Sequence, residues 1–75
     1  MIGYAAKLEV ADDRVNVTFR DFQDVFTCGS TKAEALANAE DVLNLSIEQY
    51  LEDGRELPEP TFIEAGEVLI VSKFK

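Results

Sequence analysis

The residues that could do chemistry in this chain are its carboxylates, and many occur in close pairs: Asp12-Asp13, Asp21 with Asp24, Glu40-Asp41 and Glu52-Asp53. Acid–base or metal chemistry needs such groups to converge on one point. Sequence neighbours on a helix point in different directions, so Glu40-Asp41 reads as a solvated face. Asp12-Asp13 reads as a turn in which side chains cap the backbone, and Asp21 with Asp24 sits in a second turn. The absence of histidine removes Ser-His and Cys-His catalysis and most zinc sites. The single cysteine, Cys28, can form no internal disulfide. It lies in a strand-like stretch, where a free thiol is expected to be a small buried hydrophobe. No phosphate-cradling glycine loop, Cys-x-x-Cys or nucleophile motif is present. The expectation is a protein that is not an enzyme and holds neither metal nor cofactor.

Charge narrows the partners. Fifteen acidic against seven basic residues leave a net −8. Nucleic-acid affinity is dominated by cationic contacts to phosphate, so the domain is not expected to bind DNA or RNA by itself. A basic protein is the natural partner, because opposite fields steer encounter; the plainer alternative is that the acid only keeps a small protein soluble. No apolar run approaches the ~20 residues that span a bilayer. The start, "MIGYAAKLEV", lacks the basic and apolar regions of a signal peptide. A cytoplasmic location without membrane contact is expected.

The elements that must position these residues are legible. Residues 2 to 10 alternate, with Ile2, Tyr4, Ala6, Leu8 and Val10 on one face, which predicts a half-buried strand. After "ADDR", Val15, Val17 and Phe19 alternate with Asn16, Thr18 and Arg20 in a second strand, close enough to form a hairpin. "DFQD" reverses the chain, and "VFTC" supplies a third strand ended by Gly29. Thr31 with Glu34 fits a capping box, in which the glutamate reaches back to the cap's own N–H. Ala35, Leu36, Ala39, Val42, Leu43, Ser46, Ile47, Tyr50 and Leu51 then form one stripe of a helix over 32–53, and Gly54 stands where a left-handed cap is expected. "RELPEP" enforces an extended linker. The apolar run "EVLIV", 67–71, suits a strand covered on both sides or set centrally.

The predicted class is α+β, in the order β-β-β-α-β: an antiparallel three-stranded meander, a fourth strand, and one long helix on one sheet face. A right-handed crossover through the helix would lay the fourth strand parallel to the third, giving the order 3-2-1-4. The other face, with Lys7, Glu9 and Thr18, would be wet or used for contacts.

Two apolar residues have more than one reading. Leu45 points away from the helix stripe and is either a singly exposed leucine or part of a contact surface. In "DFQD", Asp21 is expected to cap the turn. Phe22 is expected under the helix start, with Gln23 and Asp24 exposed. The competing reading makes Asp21, Phe22 and Asp24 a partner patch, an apolar anchor rimmed by charge.

Three ordered blocks carry a resemblance: Phe19-x-Asp21-Phe22; Thr27-x-Gly29-x-Thr31-x-x-Glu34-Ala35-x-x-Asn38-Ala39; and Leu51-Glu52-Asp53-Gly54 with Leu57-Pro58-x-Pro60. Together they resemble the N-terminal domain of HicB-type antitoxins, across nearly the whole chain. The resemblance implies a partial ribonuclease-H-like fold, in agreement with the element order. It implies the neutralisation of a small basic HicA-type toxin, an mRNA endoribonuclease, as one half of a type II toxin–antitoxin pair. It also implies oligomers, with a homodimer expected. Family members commonly carry a C-terminal DNA-binding domain that represses their own operon; residues 1–75 read as a single HicB-like domain without a helix-turn-helix or ribbon strand. The chain departs from the pattern at Asp13-Arg14, where a glycine pair is usual, and at Gln23-Asp24. The fold label brings no catalysis with it, since Glu9 is the only acid inside the first strand and Asn16 sits opposite it.

Two functional classes follow. One is an antitoxin that covers a basic ribonuclease with its acidic helix face, Asp41, Glu48 and Glu52, and its strand edges, the candidate interface also taking in Leu45, Asp21, Phe22 and Asp24. The other is a non-catalytic structural or dimerisation module with no toxin partner.

Overall fold

The computed structural model describes residues 2–73. Its elements are β1 (Gly3–Val10), β2 (Val15–Phe19), β3 (Phe26–Gly29), α1 (Lys32–Glu52) and β4 (Glu67–Val71). They form one four-stranded sheet in the order β3-β2-β1-β4, with α1 across one face. This is the α+β arrangement expected from the alternation and capping signals.

Register explains which face is buried. Ala6 pairs with Phe19, Leu8 with Val17 and Val10 with Val15, while Tyr4 pairs with Ile70. Alternation therefore turns Tyr4, Ala6, Val17, Phe19 and Ile70 toward Ala35, Ala39, Leu43 and Ile47 of α1, and all are buried. Complete burial of Leu43 or Ile47 is worth about 1.5–3 kcal/mol each. Gly29 lets the helix settle close to the sheet, because a Cβ there would lie 2.4 Å from the Ala35 backbone nitrogen.

The helix begins and ends as its sequence signals require. The Glu34 N–H donates to Thr31 Oγ1 at 3.1 Å. The Glu34 carboxylate accepts from the Ser30 N–H at 2.8 Å, one residue before the cap rather than from the cap itself. At the other end Gly54 takes φ +71. The Gly54 N–H donates to the Leu51 carbonyl and the Arg55 N–H to the Tyr50 carbonyl, the paired closure of a left-handed cap. The apolar stripe is narrower than predicted: Leu51 is 54% exposed.

Three expectations are corrected. First, β4 runs antiparallel to β1, with Gly3 opposite Val71 and Lys7 opposite Glu67. A right-handed crossover requires the chain to pass from helix to strand without reversing. Instead residues 55–66 form an extended strap, and a turn closed by the Glu67 N–H on the Glu64 carbonyl, with Gly66 at φ +86, reverses the chain before β4. Second, β4 is an edge strand, and its Leu69 and Val71 are exposed on the side away from the helix. An apolar run alone does not distinguish a covered strand from an edge. Third, Cys28 is exposed. It stands opposite Asn16 in the ladder, so it shares the open face with Asn16 and Thr18 instead of the core face. Glu9 does pair with Asn16, as expected.

Candidate functional site

The outer surface of α1 gathers four of the residues expected to meet a partner. Asp41, Leu45, Glu48 and Glu52 follow one another at 4-3-4 spacing, on the side away from Ala35, Ala39, Leu43 and Ile47. All four are exposed, Leu45 by 66%. Asp41, Leu45 and Glu48 line a shallow open hollow with Asn44 and Lys73. Asn44 shapes its floor: its Oδ1 accepts from the buried Ser72 hydroxyl at 2.8 Å and from the Lys73 N–H at 3.1 Å, which fastens the end of β4 to the helix. The only basic residue of α1 is Lys32, in its first turn, against five acids. The result is an acidic ridge with one leucine set in it.

The "DFQD" loop does something different from its ridge neighbours. Phe22 is 2% exposed. Its ring meets Tyr4 edge-on at 4.7 Å between centroids, Tyr50 at 5.5 Å and Phe19 at 6.5 Å. It is tucked under the last turns of α1 rather than its start, because α1 begins beside the end of β3 and finishes over the β2–β3 loop. A ring so enclosed has no surface to offer a partner, so the patch reading loses its apolar anchor. The helix side of this cluster is closed by the Arg55 guanidinium, 4.1 Å above the Tyr50 ring. Asp24 and Gln23 are exposed, and Asp24 lies outside the hollow on α1.

Asp21 does not close its own turn. Its carboxylate accepts from the Thr61 N–H at 3.1 Å and from the Thr61 hydroxyl at 3.2 Å. The loop itself is closed by the Val25 N–H on the Phe22 carbonyl. Two further ties hold the strap. The Tyr4 hydroxyl donates to the Pro58 carbonyl at 2.7 Å. The Arg20 guanidinium bridges Glu64 at 2.8 Å and Glu67. Burial raises the Tyr4 phenol above its ordinary range, and the nearby Asp21, Glu59 and Tyr50 add to it. Arg20 acts oppositely on its partners, donating hydrogen bonds that hold both Glu64 and Glu67 below the usual carboxylate range. Arg20, Thr61 and Tyr4 were not singled out in the sequence as strap anchors; the one available hint was the strap's proline spacing, which says that it is extended but not what it touches. Among the described residues, no three His, Cys, Asp or Glu side chains gather as a metal site, and no helix is long and apolar enough to cross a membrane.

A family model described as the HicB-like antitoxin of bacterial toxin–antitoxin systems matches residues 3–72. The chain belongs to the HicB-like antitoxin family. Similar proteins include Antitoxin HicB 2 of Photorhabdus laumondii subsp. laumondii, 40% identical over 58 residues, which is 77% of this chain and 42% of that protein. Another is an uncharacterized 14.9 kDa protein encoded in the rep-hol intergenic region of Haemophilus phage HP1, 36% identical over 61 residues, 81% of this chain and 46% of that protein. The chain thus spans less than half the length of these two relatives.

Most of the residues that carried the HicB-like resemblance hold the fold. Phe19 and Phe22 are core. Asp21 ties the strap, Gly29 admits the helix, and Thr31 with Glu34 caps it. The Asn38 side-chain amide donates to the Cys28 carbonyl at 2.9 Å, fastening α1 to β3. Gly54 ends the helix and Pro58 receives Tyr4. In this member of the HicB-like antitoxin family the recognisable residues build the platform, and the acidic ridge is one surface that the platform displays.

Proposed function

We propose that this chain is an antitoxin that binds and neutralises a small basic HicA-type mRNA endoribonuclease directly, in the cytoplasm and without chemistry of its own. The observation that carries the reading is the ridge of Asp41, Leu45, Glu48 and Glu52 on the outer side of α1, to which the helix itself contributes no basic side chain and beside which Lys73 stands at one hollow. Such a surface complements a cationic RNA-binding face in charge, and occupying that face is enough to keep RNA away. Asp21 and Asp24 add acid at the neighbouring end of the molecule, where α1 finishes, while Phe22 supports the loop from inside. The domain's own net −8 argues against direct binding of nucleic acid by this domain.

The test is calorimetric titration of a catalytically inactivated HicA-type toxin from the same genome into this chain, at low and raised salt. Binding that weakens as salt rises, and weakens further in a D41N/E48Q/E52Q variant, is the expected result. Absence of binding at either salt concentration overturns the proposal. A second reading, a module that pairs with its own copy, is favoured by Leu69 and Val71, exposed on the edge strand β4. It predicts a salt-insensitive dimer in sedimentation, and it is compatible with toxin binding at the ridge.

A further inference from the structure

We propose that the strap between α1 and β4 presents Phe62 as a preformed apolar anchor for the same basic partner, inserted into a pocket on that partner whose rim is cationic; this rests on the antitoxin reading above. Phe62 is 95% exposed and its neighbour Ile63 is 44% exposed. A single exposed phenylalanine on a loose loop would mean little. Here the backbone on both sides of it is fixed. Pro58 is held by the Tyr4 hydroxyl, Thr61 by Asp21 through both its N–H and its hydroxyl, and Glu64 by Arg20 and by its own N–H on Glu67 Oε1 at 2.9 Å. The ties fall on every third residue, 58, 61 and 64, the repeat of an extended polyproline-type segment, with prolines at 58 and 60. Between these ties Glu59 and Phe62 are exposed, and the ties themselves, at Thr61 and Glu64, lie at the surface, so the ring is held outside the core.

This is the arrangement of a binding hot spot: a large ring, three residues or fewer from an anchor on either side, with no ordering of the strap left to pay for on association. Charge selects the occupant. The strap carries Glu56, Glu59 and Glu64 against Arg55 alone, so a second copy would bring like charge to the rim of its own anchor, whereas a cationic protein brings the complement. Because Phe62 is exposed in the free protein, shortening it removes contact area from a complex and none from the core.

The experiment measures binding of the full chain to an inactivated HicA-type toxin by calorimetry for the wild type, F62A and F62L, with thermal melts and sedimentation of each free protein. The expected result is that F62A weakens binding at least tenfold, F62L restores most of it, the melting temperature stays within a degree or so of the wild type, and the salt dependence is unchanged. Wild-type affinity in F62A, with salt-sensitive binding intact, overturns the anchor and leaves the antitoxin reading standing. Failure of the wild type to bind overturns both. A wild-type dimer that F62A dissociates while toxin affinity holds assigns the ring to a second copy and also overturns the proposal.

Discussion

Asp21 and Thr61 lie forty residues apart and are joined twice, the carboxylate accepting the Thr61 N–H at 3.1 Å and the Thr61 hydroxyl at 3.2 Å. The contact connects the β2–β3 loop to the strap, two segments without regular structure. Neither would hold its path alone, since each lacks a ladder or helical hydrogen-bond partner along most of its length.

Asp21→Ala should therefore loosen the strap without unfolding the domain. The expected cost is about 1 kcal/mol, typical for a hydrogen bond outside the dry core. The Thr61 amide should exchange with solvent many times faster while amides of β1 and α1 keep their protection. Hydrogen exchange followed by NMR reads both, and uniform acceleration across the chain would show that the tie is global instead.

Phe22→Ala should be far more damaging than its loop position suggests. The ring fills the space between Tyr4, Phe19 and Tyr50, and removal of a buried phenylalanine costs about 3–5 kcal/mol. A domain of this size holds only about 5–10 kcal/mol in total. Urea denaturation should show loss of most of the stability, and Phe22→Leu should recover part of it. A variant as stable as wild type would return Phe22 to the list of surface residues.

Two glycines should respond to alanine for different reasons. At Gly29 the new Cβ would sit 2.4 Å from the Ala35 nitrogen, so the helix start must shift, at about 1–3 kcal/mol. At Gly54 nothing lies within 4 Å, and the cost comes from φ +71 alone, about 1–2 kcal/mol. Denaturation gives both values, and crosspeak shifts should spread over β3 and α1 for Gly29→Ala but stay at the helix end for Gly54→Ala.

The Arg20 clasp sets an acid limit. Its hydrogen bonds hold Glu64 and Glu67 below the ordinary 4.5. Their folded-state values are depressed, so the stabilisation is complete above pH 4.5, the unfolded value, and is lost as pH falls through the folded values. Carboxyl NMR titration should place both groups below 4.5 in the wild type and move Glu67 upward in Arg20→Gln. Coincident curves for the two proteins would sink the assignment. At the alkaline end the raised Tyr4 phenol acts in the opposite sense: stability is full below pH 10 and falls as the pH rises through its folded value.

Much of this architecture was readable before any coordinates, for a local reason. Alternation in Tyr4–Val10 and Val15–Phe19, and the Thr31–Glu34 cap, are properties of residues within one turn or one strand of each other. So is the outward position of Asp41, Leu45 and Glu48. What escaped depends on distant pairing. The direction of β4 follows from a turn at Gly66 placed after a strap whose path is set by Tyr4, Asp21 and Arg20, all contributed from the first third of the chain. The exposure of Cys28 follows from its register against Asn16. Phe22 had the aromatic size of a core residue and the neighbours of a surface one, and only the end of α1 arriving above it decides the matter.

The place of β1 in the sheet has a consequence for synthesis. Among the described residues it is the earliest strand, yet it is central, and its second neighbour is β4, more than fifty residues later. The meander can form early from local contacts, but until residue 71 has emerged the outer edge of β1 carries unpaired N–H and C=O groups beside Tyr4 and Ala6. A nascent chain at that stage offers an open strand to any other chain nearby and gives proteases an incompletely covered core. The four-stranded sheet closes only once β4 has been made, so these residues cannot hold their sheet together from the meander alone.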